Sequence, residues 1–307
     1  MFLISVVILY NQVFNSNQWP LFIDGIKNLT YGNGLLFFIG AIILMPFNWG
    51  IETHKWRLLI NVYEPMPFST SLKAVLSGVY ISIFTPNRMG EFAGRIIYLK
   101  RFNKIKGTFV TFIGSISQLC VTLVMGALAL PIYISITVFP DQFIGKILII
   151  TFFAIALLFV FLYFNLGLVP KLVSRIYYLK KYTKWVSILV RYKGQILAKI
   201  LLFSFLRYII FSIQFLFLLQ AFGFDIYWIK SLIGICTIFF AQAIIPTISL
   251  TELGIRGASS VEILGLLSDN SSAILASAWT LWLINLILPA IPGLYFLLTA
   301  KVELNHD

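Results

Sequence analysis

The sequence predicts an all-α, polytopic integral membrane protein, and three observations carry that prediction. Sixty per cent of the 307 residues are hydrophobic and 11% are charged, against about 25% charge in a typical soluble domain. Charge is absent from 1–23, 28–51, 107–140, 147–170, 231–251 and 270–300. Each stretch can supply the roughly 20 apolar residues that cross ~30 Å of hydrocarbon. The basic residues gather between these stretches, which is the pattern that orients a membrane chain.

Lys and Arg collect in 53–73, 95–106 and 170–199 and at Lys301, which together hold most of the 23 basic residues. Cytoplasmic loops are enriched in these residues. With the four segments on that side, residues 1–14 go out, 33–52 return, 107–135 exit, 143–168 return, 197–222 exit and 273–299 end inside. The first run is short and breaks at Asn11, Gln12 and Asn15, and it lacks the basic start and small-residue cleavage site of a signal peptide.

That map leaves two regions without a full span. Residues 68–94 begin and end on the cytoplasmic side, and 228–271 begin and end on the outer side. Each is expected to be a re-entrant or short-helix hairpin. The prediction is therefore about six full spans and two hairpins in one transmembrane domain over 1–307. Repeat halves 33–168 and 197–300 are joined by a basic segment, 170–195. The expected location is the plasma membrane, multi-pass, with the C-terminus in the cytoplasm.

The segment PKLVSRIYYLKKYTKWVSILVRYKGQ, 170–195, mixes cations with Tyr and Trp. It reads either as an interfacial helix on anionic lipid or as a positive-inside loop with belt aromatics. Both readings set 170–199 against the inner leaflet. The net charge of +12 is thus explained by topology, and no nucleic-acid partner is expected.

The hairpins carry related sequences, FTPNRMGEFAGR at 84–95 and IPTISLTELGIR at 245–256. Each has a helix-ending proline (Pro86, Pro246), a short polar stretch and then Glu-x-x-x-Arg: Glu91 with Arg95, and Glu252 with Arg256. Proline breaks the helix before it. Asn87 in one copy and Ser249 or Thr251 in the other are candidate N-caps for a new helix. Glu four residues before Arg is the favourable order on a helix face. Opposite-facing hairpins with one motif are what an inverted repeat leaves in a sequence, and in such folds broken helices meet near the midplane and hold the substrate.

Ionisable residues at membrane depth are costly and commonly functional. Read functionally, Arg88, Arg95 and Arg256 form a polar cavity suited to a phosphate, because guanidinium offers planar, bidentate donors. Glu91, Glu252 and Glu262 then shape the cavity, bind a cationic head group or take up a proton. Read structurally, the two Glu–Arg pairs only neutralise each other. Gln118, Gln214, Gln220 and Gln242 are expected to bond across helices, and Arg207 to snorkel from the start of a span. Asn285, with Pro289 and Pro292, marks a kinked last helix and is a candidate cavity residue. Cys120 and Cys236 read as small buried hydrophobes. With His54 and His306 they form no ligand set, so no metal and no cofactor is expected.

At these residues the chain resembles a known family, the transmembrane (flippase-like) region of lysylphosphatidylglycerol synthase, which also occurs as stand-alone membrane proteins. The matching features are HKWRLL at 54–59, the stretch Ser77 to Arg101, PTISLTELGIRG at 246–257 and the proline-rich last span. The resemblance implies movement of an aminoacylated phosphatidylglycerol to the outer leaflet. Eight residues follow Thr299, so a soluble aminoacyl-transferase domain is not expected and an enzyme is not implied. The family's first motif falls on Pro86, Gly90, Glu91 and Arg95, and the second on Pro246, Gly254 and Arg256. The family often has an acid after the second Arg, where this chain has Gly257. An Arg common in its last span is missing near Leu283 and Asn285.

The expected function is translocation of an anionic or aminoacylated phospholipid, or of a polyprenyl-phosphate lipid, between leaflets. No nucleotide-binding loop is present. A lipid gradient, a proton through Glu91 or Glu252, and membrane potential stay open as driving forces. Membrane phospholipid and a separate lipid-modifying enzyme are the candidate partners. Two rival readings are a membrane enzyme acting on lipid phosphates or lipid-linked sugars, with Glu91, Glu252 and Glu262 as its bases, and a non-transporting scaffold subunit.

Overall fold

The computed structural model describes residues 18–27, 29, 33–85, 88–100, 102–138, 142–175, 178, 181, 183, 187–245 and 252–304, which include no strand. A short helix, α1 (Gln18–Lys27), precedes α2 (Gly34–Ile60). The first hairpin follows as α3 (Phe68–Ser82) and α4 (Gly90–Ile96), and then come α5 (Lys104–Thr137), α6 (Gln142–Phe164) and α7 (Leu168–Arg175). A 3-10 turn, Ser187–Arg191, leads into α8 (Gly194–Ala221). The second hairpin is α9 (Trp228–Ile244) and α10 (Glu252–Gly265). A π turn at Leu283–Ile287 joins α11 (Ser271–Trp282) to α12 (Leu288–Leu304).

Five helices are long and apolar enough to cross a membrane: Gly34–Ile60, Lys104–Thr137, Gly145–Phe164, Gly194–Ala221 and Ser271–Ala300. They coincide with five of the six expected spans. The sixth, 1–14, lies outside the described residues, as do Pro86, Asn87, Pro246, Ser249 and Thr251. Side chains terminate several elements. Asn103 Oδ1 accepts from the Ile105 and Lys106 amides to cap α5, and Asn270 caps α11 through the Ala273 amide. Where a kink was expected, the last span carries a π turn around Asn285. Pro289 cannot donate to the Asn285 carbonyl, and a π turn is one way to absorb that loss.

Close approaches fix the directions of the helices. Gly34 abuts Ala221 and Gly40 abuts Phe217, while Lys55 reaches Ser204, so α2 and α8 run antiparallel. In the first hairpin Gly78 lies on Glu91 and Gly90 on Ile81, and no side chain beyond hydrogen fits at these crossings. In the second, Gly234 packs on Leu264 and Gln242 bonds Ser259. The first hairpin opens where α2 ends, tied there by Arg57 donating to the Met66 carbonyl and by the Lys100 and Phe102 amides donating to Glu64. The second opens where α2 begins, with the Trp228 ring against Phe37. The two hairpins therefore enter the bundle from opposite ends.

One sequence expectation fails at the end of α2. The expected span 33–52 was set to end at residue 52, with Lys55 counted as a loop cation. The helix runs on to Ile60, and Glu52 and Lys55 are buried inside the bundle. Arg95, also counted with a basic loop, is buried as well.

Candidate polar site between the hairpin tips

The period of α2 places Asn48, Glu52 and Lys55 on one face. Glu52 Oε1 accepts from Arg95 Nη1 at 2.9 Å. Its Oε2 accepts from Arg207 Nη1 at 2.8 Å and lies 2.7 Å from Lys55 Nζ. One carboxylate thus meets cations from α2, α4 and α8. Arg95 spans the gap to its own helix partner, with Nη2 donating to Glu91 Oε2 at 2.9 Å. Glu52 is eight residues from the end of α2, about 12 Å of helical rise. An unpaired buried ion at such depth is strongly disfavoured, and sharing one carboxylate among three cations is how this chain avoids it.

Polar contacts continue inward from Arg207. Its Nε donates to Asn48 Oδ1 at 2.8 Å, and Asn48 Nδ2 donates to Asn285 Oδ1 at 2.9 Å. Asn285 donates to Gln214, which donates to the Ala41 carbonyl. The guanidinium of Arg207 also lies over the Trp49 ring, 4.9 Å from its centroid. Arg207 is therefore a member of the interior network, and the expectation that it snorkels is wrong. Asn285 belongs to that network and holds the π turn against α2 and α8.

The second motif forms its own group. Arg256 Nε donates to Glu252 Oε1 at 2.8 Å, and Arg256 Nη1 donates to Gln242 Oε1 at 2.9 Å. Gln242 is fixed by donating to Ser259 Oγ. Across the gap from the first hairpin, Arg88 Nη2 lies 3.4 Å from the Glu252 carboxylate. The tips of the opposed hairpins thus meet through an ion pair. Arg88 has φ 55, the left-handed region, and is the one non-glycine residue with positive φ among those described. Such strain is held only where surroundings over-determine it, and it clusters at ligand sites.

Two adjoining cavities open here, of about 230 and 490 Å³. Arg88, Gln242 and Arg256 line both, Arg207 and Gln118 line the first, and Glu252 lines the second. Exposure sorts the arginines by role. The side chains of Arg88 and Arg256 are 29% and 26% exposed, against 3% for Arg95. Arg95 is consumed by two carboxylates. Arg88 and Arg256 share one and face open space. Across both groups, the cations Lys55, Arg88, Arg95, Arg207 and Arg256 exceed the carboxylates Glu52, Glu91 and Glu252 by two charges. The arrangement can receive a multiply charged oxyanion.

The remaining expectations fall as follows. Gly90 and Gly254 are buried at the starts of α4 and α10. Met89, not Asn87, occupies the cap position of α4, and Thr85 Oγ1 accepts from the Gly90 amide at 2.7 Å. Glu262 is exposed on α10, ten residues and about 15 Å beyond Glu252, and takes no part in the site. Sequence reasoning missed Glu52, Lys55 and Asn48 as members, and it read Gln242 only as a helix-bridging residue. The spacing Asn48, Glu52, Lys55 at i, i+4, i+7 was the available signal.

The chain matches the family model described as Lysylphosphatidylglycerol synthase TM region over residues 2–293. No curated relative and no solved structure matches it.

Proposed function

We propose, from the premise that this chain belongs to the lysylphosphatidylglycerol synthase TM region family of multi-pass membrane proteins, that it carries an anionic phospholipid between leaflets. An aminoacylated phospholipid and a polyprenyl-phosphate lipid are the alternative cargoes, and all three share the phosphate. The lipid phosphate rests on Arg88, Arg207 and Arg256, and the chain makes and breaks no covalent bond. The observation that supports this most is the three guanidiniums facing one cavity beneath an excess of two positive charges. A phosphate accepts bidentate hydrogen bonds from such groups.

We also infer that segments 33–168 and 197–300 are inverted repeats. Reciprocal packing supports it. The leading helix of each half, α2 and α8, pairs with the other. The long helix α5 of the first half lies on α9 of the second hairpin, and α12 of the second half lies on α3 of the first. The hairpin tips then form a gate reachable from either side, and Arg88–Glu252 is the contact that parts. The basic stretch 170–199 rests on inner-leaflet lipid in this scheme.

Reconstitution tests the function. Liposomes carry lipid labelled in one leaflet, in parallel series of phosphatidylglycerol, an aminoacylated derivative, a polyprenyl phosphate and a zwitterionic control. Faster crossing of an anionic or aminoacylated series than of the control supports the proposal. Rates equal to those of protein-free liposomes in every series would sink it.

A further inference from the structure

We propose that the foot of the first hairpin holds a second oxyanion site, shaped for one phosphate group, which clamps the connection between α7 and α8 onto that hairpin. It lies at the basic end of the bundle, the inner surface on the charge-based map. The site is separate from the arginine cavity and stands whatever that cavity carries. It differs from the general attraction of 170–199 to anionic lipid in resting on one pocket and two cations.

A cavity of about 260 Å³ lies between the 3-10 turn Ser187–Arg191, the start of α5 and the stretch that follows α2. Lys106 and Arg191 line it from distant segments of the chain, together with Ser187, Tyr63 and Phe102. Its walls are fixed. Tyr63 stacks on Phe102 at 4.5 Å between centroids and meets Tyr192 edge-on at 6.2 Å. The Tyr192 hydroxyl donates to the Leu59 carbonyl at 2.8 Å. Ile188 and Leu189 are buried beneath the turn. The guanidinium of Arg191 lies over the Tyr63 ring, 5.5 Å from its centroid. Such packing orients the cation without neutralising it.

The charges define the occupant. No acid occurs in 92–140 or 142–224, the segments that supply both cations. Glu64, next to Tyr63, accepts from the Lys100 and Phe102 amides. Neither Lys106 nor Arg191 forms an ion pair with a carboxylate among the described residues. Asn103 already takes the Ile105 and Lys106 amides, so the site works through side chains and not through the end of α5. Two cations without a counter-ion and a hydroxyl in one pocket fit a phosphate, to which Arg offers a planar fork and Lys a point charge. An inner-leaflet phospholipid and a phosphate from solution present the same oxygens. By joining Arg191 on the turn to Lys106 on α5, the phosphate ties the α7–α8 connection to the place where Glu64 holds the hairpin base.

The test measures hydrogen–deuterium exchange of 187–191 in the full chain, held in phosphatidylcholine nanodiscs. One arm adds phosphatidylglycerol to the nanodisc, and another adds inorganic phosphate at constant ionic strength. Amide exchange reports local opening, so the reading belongs to the turn and not to the arginine cavity. Anion binding should slow exchange there. Slowing by phosphatidylglycerol alone assigns the site to lipid, by inorganic phosphate alone to a soluble ion, and by both to the phosphate group itself. Lys106→Gln and Arg191→Gln should each raise the anion concentration needed roughly tenfold, the worth of one charged hydrogen bond. Lys104→Gln and Lys193→Gln remove the same charge from neighbouring positions outside the pocket and should leave the effect intact. Lys106→Gln, on a different element from the turn, guards against a packing defect in the Arg191 variant. Exchange that neither anion slows, or slowing that all four variants reduce alike, overturns the site and leaves only diffuse surface charge.

Discussion

Glu52 and Arg256 are both ion-paired, yet they are expected to respond to mutation in opposite ways. Glu52 is buried and answers three cations, so Glu52→Ala strands Lys55, Arg95 and Arg207 without a counter-charge. Breaking such a buried pair costs about 3–5 kcal/mol, and thermal unfolding in detergent should fall sharply. Arg256 is a quarter exposed and its partner Glu252 keeps Arg88. Arg256→Ala should change stability by about 1 kcal/mol or less while weakening phosphate binding. Arg88 separates backbone from side chain. Its left-handed conformation costs about 1–3 kcal/mol, which glycine relieves and alanine does not. Arg88→Gly should therefore melt above Arg88→Ala although both lose the guanidinium, and equal melting would contradict the strain.

The hairpins depend on glycines at their crossings, and these set the predictions at this scale. A Cβ on Gly257 would meet Trp279 Nε1 and Leu275 Cδ1, each at 2.6 Å. Gly257→Ala should destabilise by about 1–3 kcal/mol through overpacking of α10 on α11, seen as a lower melting temperature. The same contact leaves no room for an acid directly after Arg256. Both hairpins were legible in the sequence, because Pro, Gly and a Glu-x-x-x-Arg face interrupt apolar stretches and the basic loops set their direction. The burial of Glu52 and Lys55 was missed for a physical reason. A charge at a span end reads as a loop charge, and only its counter-ions on α4 and α8, distant in sequence, show that it belongs inside. Arg207 was misread in the same way. Glu262 went wrong in the other direction, since ten residues of α10 carry it about 15 Å along the helix from Glu252.

At the scale of the whole molecule, five of six expected spans coincide with long apolar helices, since charge-free length alone specifies a membrane helix. How the halves pack was not legible, because α5 on α9 and α12 on α3 are contacts between distant segments. If the tips must part for cargo to cross, then linking them should stop transport. In a background with Cys120→Ala and Cys236→Ala, the pair Arg88→Cys and Glu252→Cys is joined by a bis-methanethiosulfonate linker, which reduction removes and which spans the gap left by two long side chains that meet tip to tip. The single variants provide the baseline, and the linked protein should cross lipid more slowly than its own reduced form. Unchanged crossing after complete linkage would mean that the gate lies elsewhere.

The most direct measurement compares lipid crossing in liposomes for wild type, Arg88→Ala, Arg256→Ala and Glu262→Gln at matched protein content. Loss of a charged hydrogen bond to phosphate is worth about 1.5–3 kcal/mol. The two arginine variants should therefore slow crossing roughly ten- to a hundredfold, while Glu262→Gln, outside the site, runs at the wild-type rate. Arginine variants that fold normally and move lipid as fast as wild type would contradict the account.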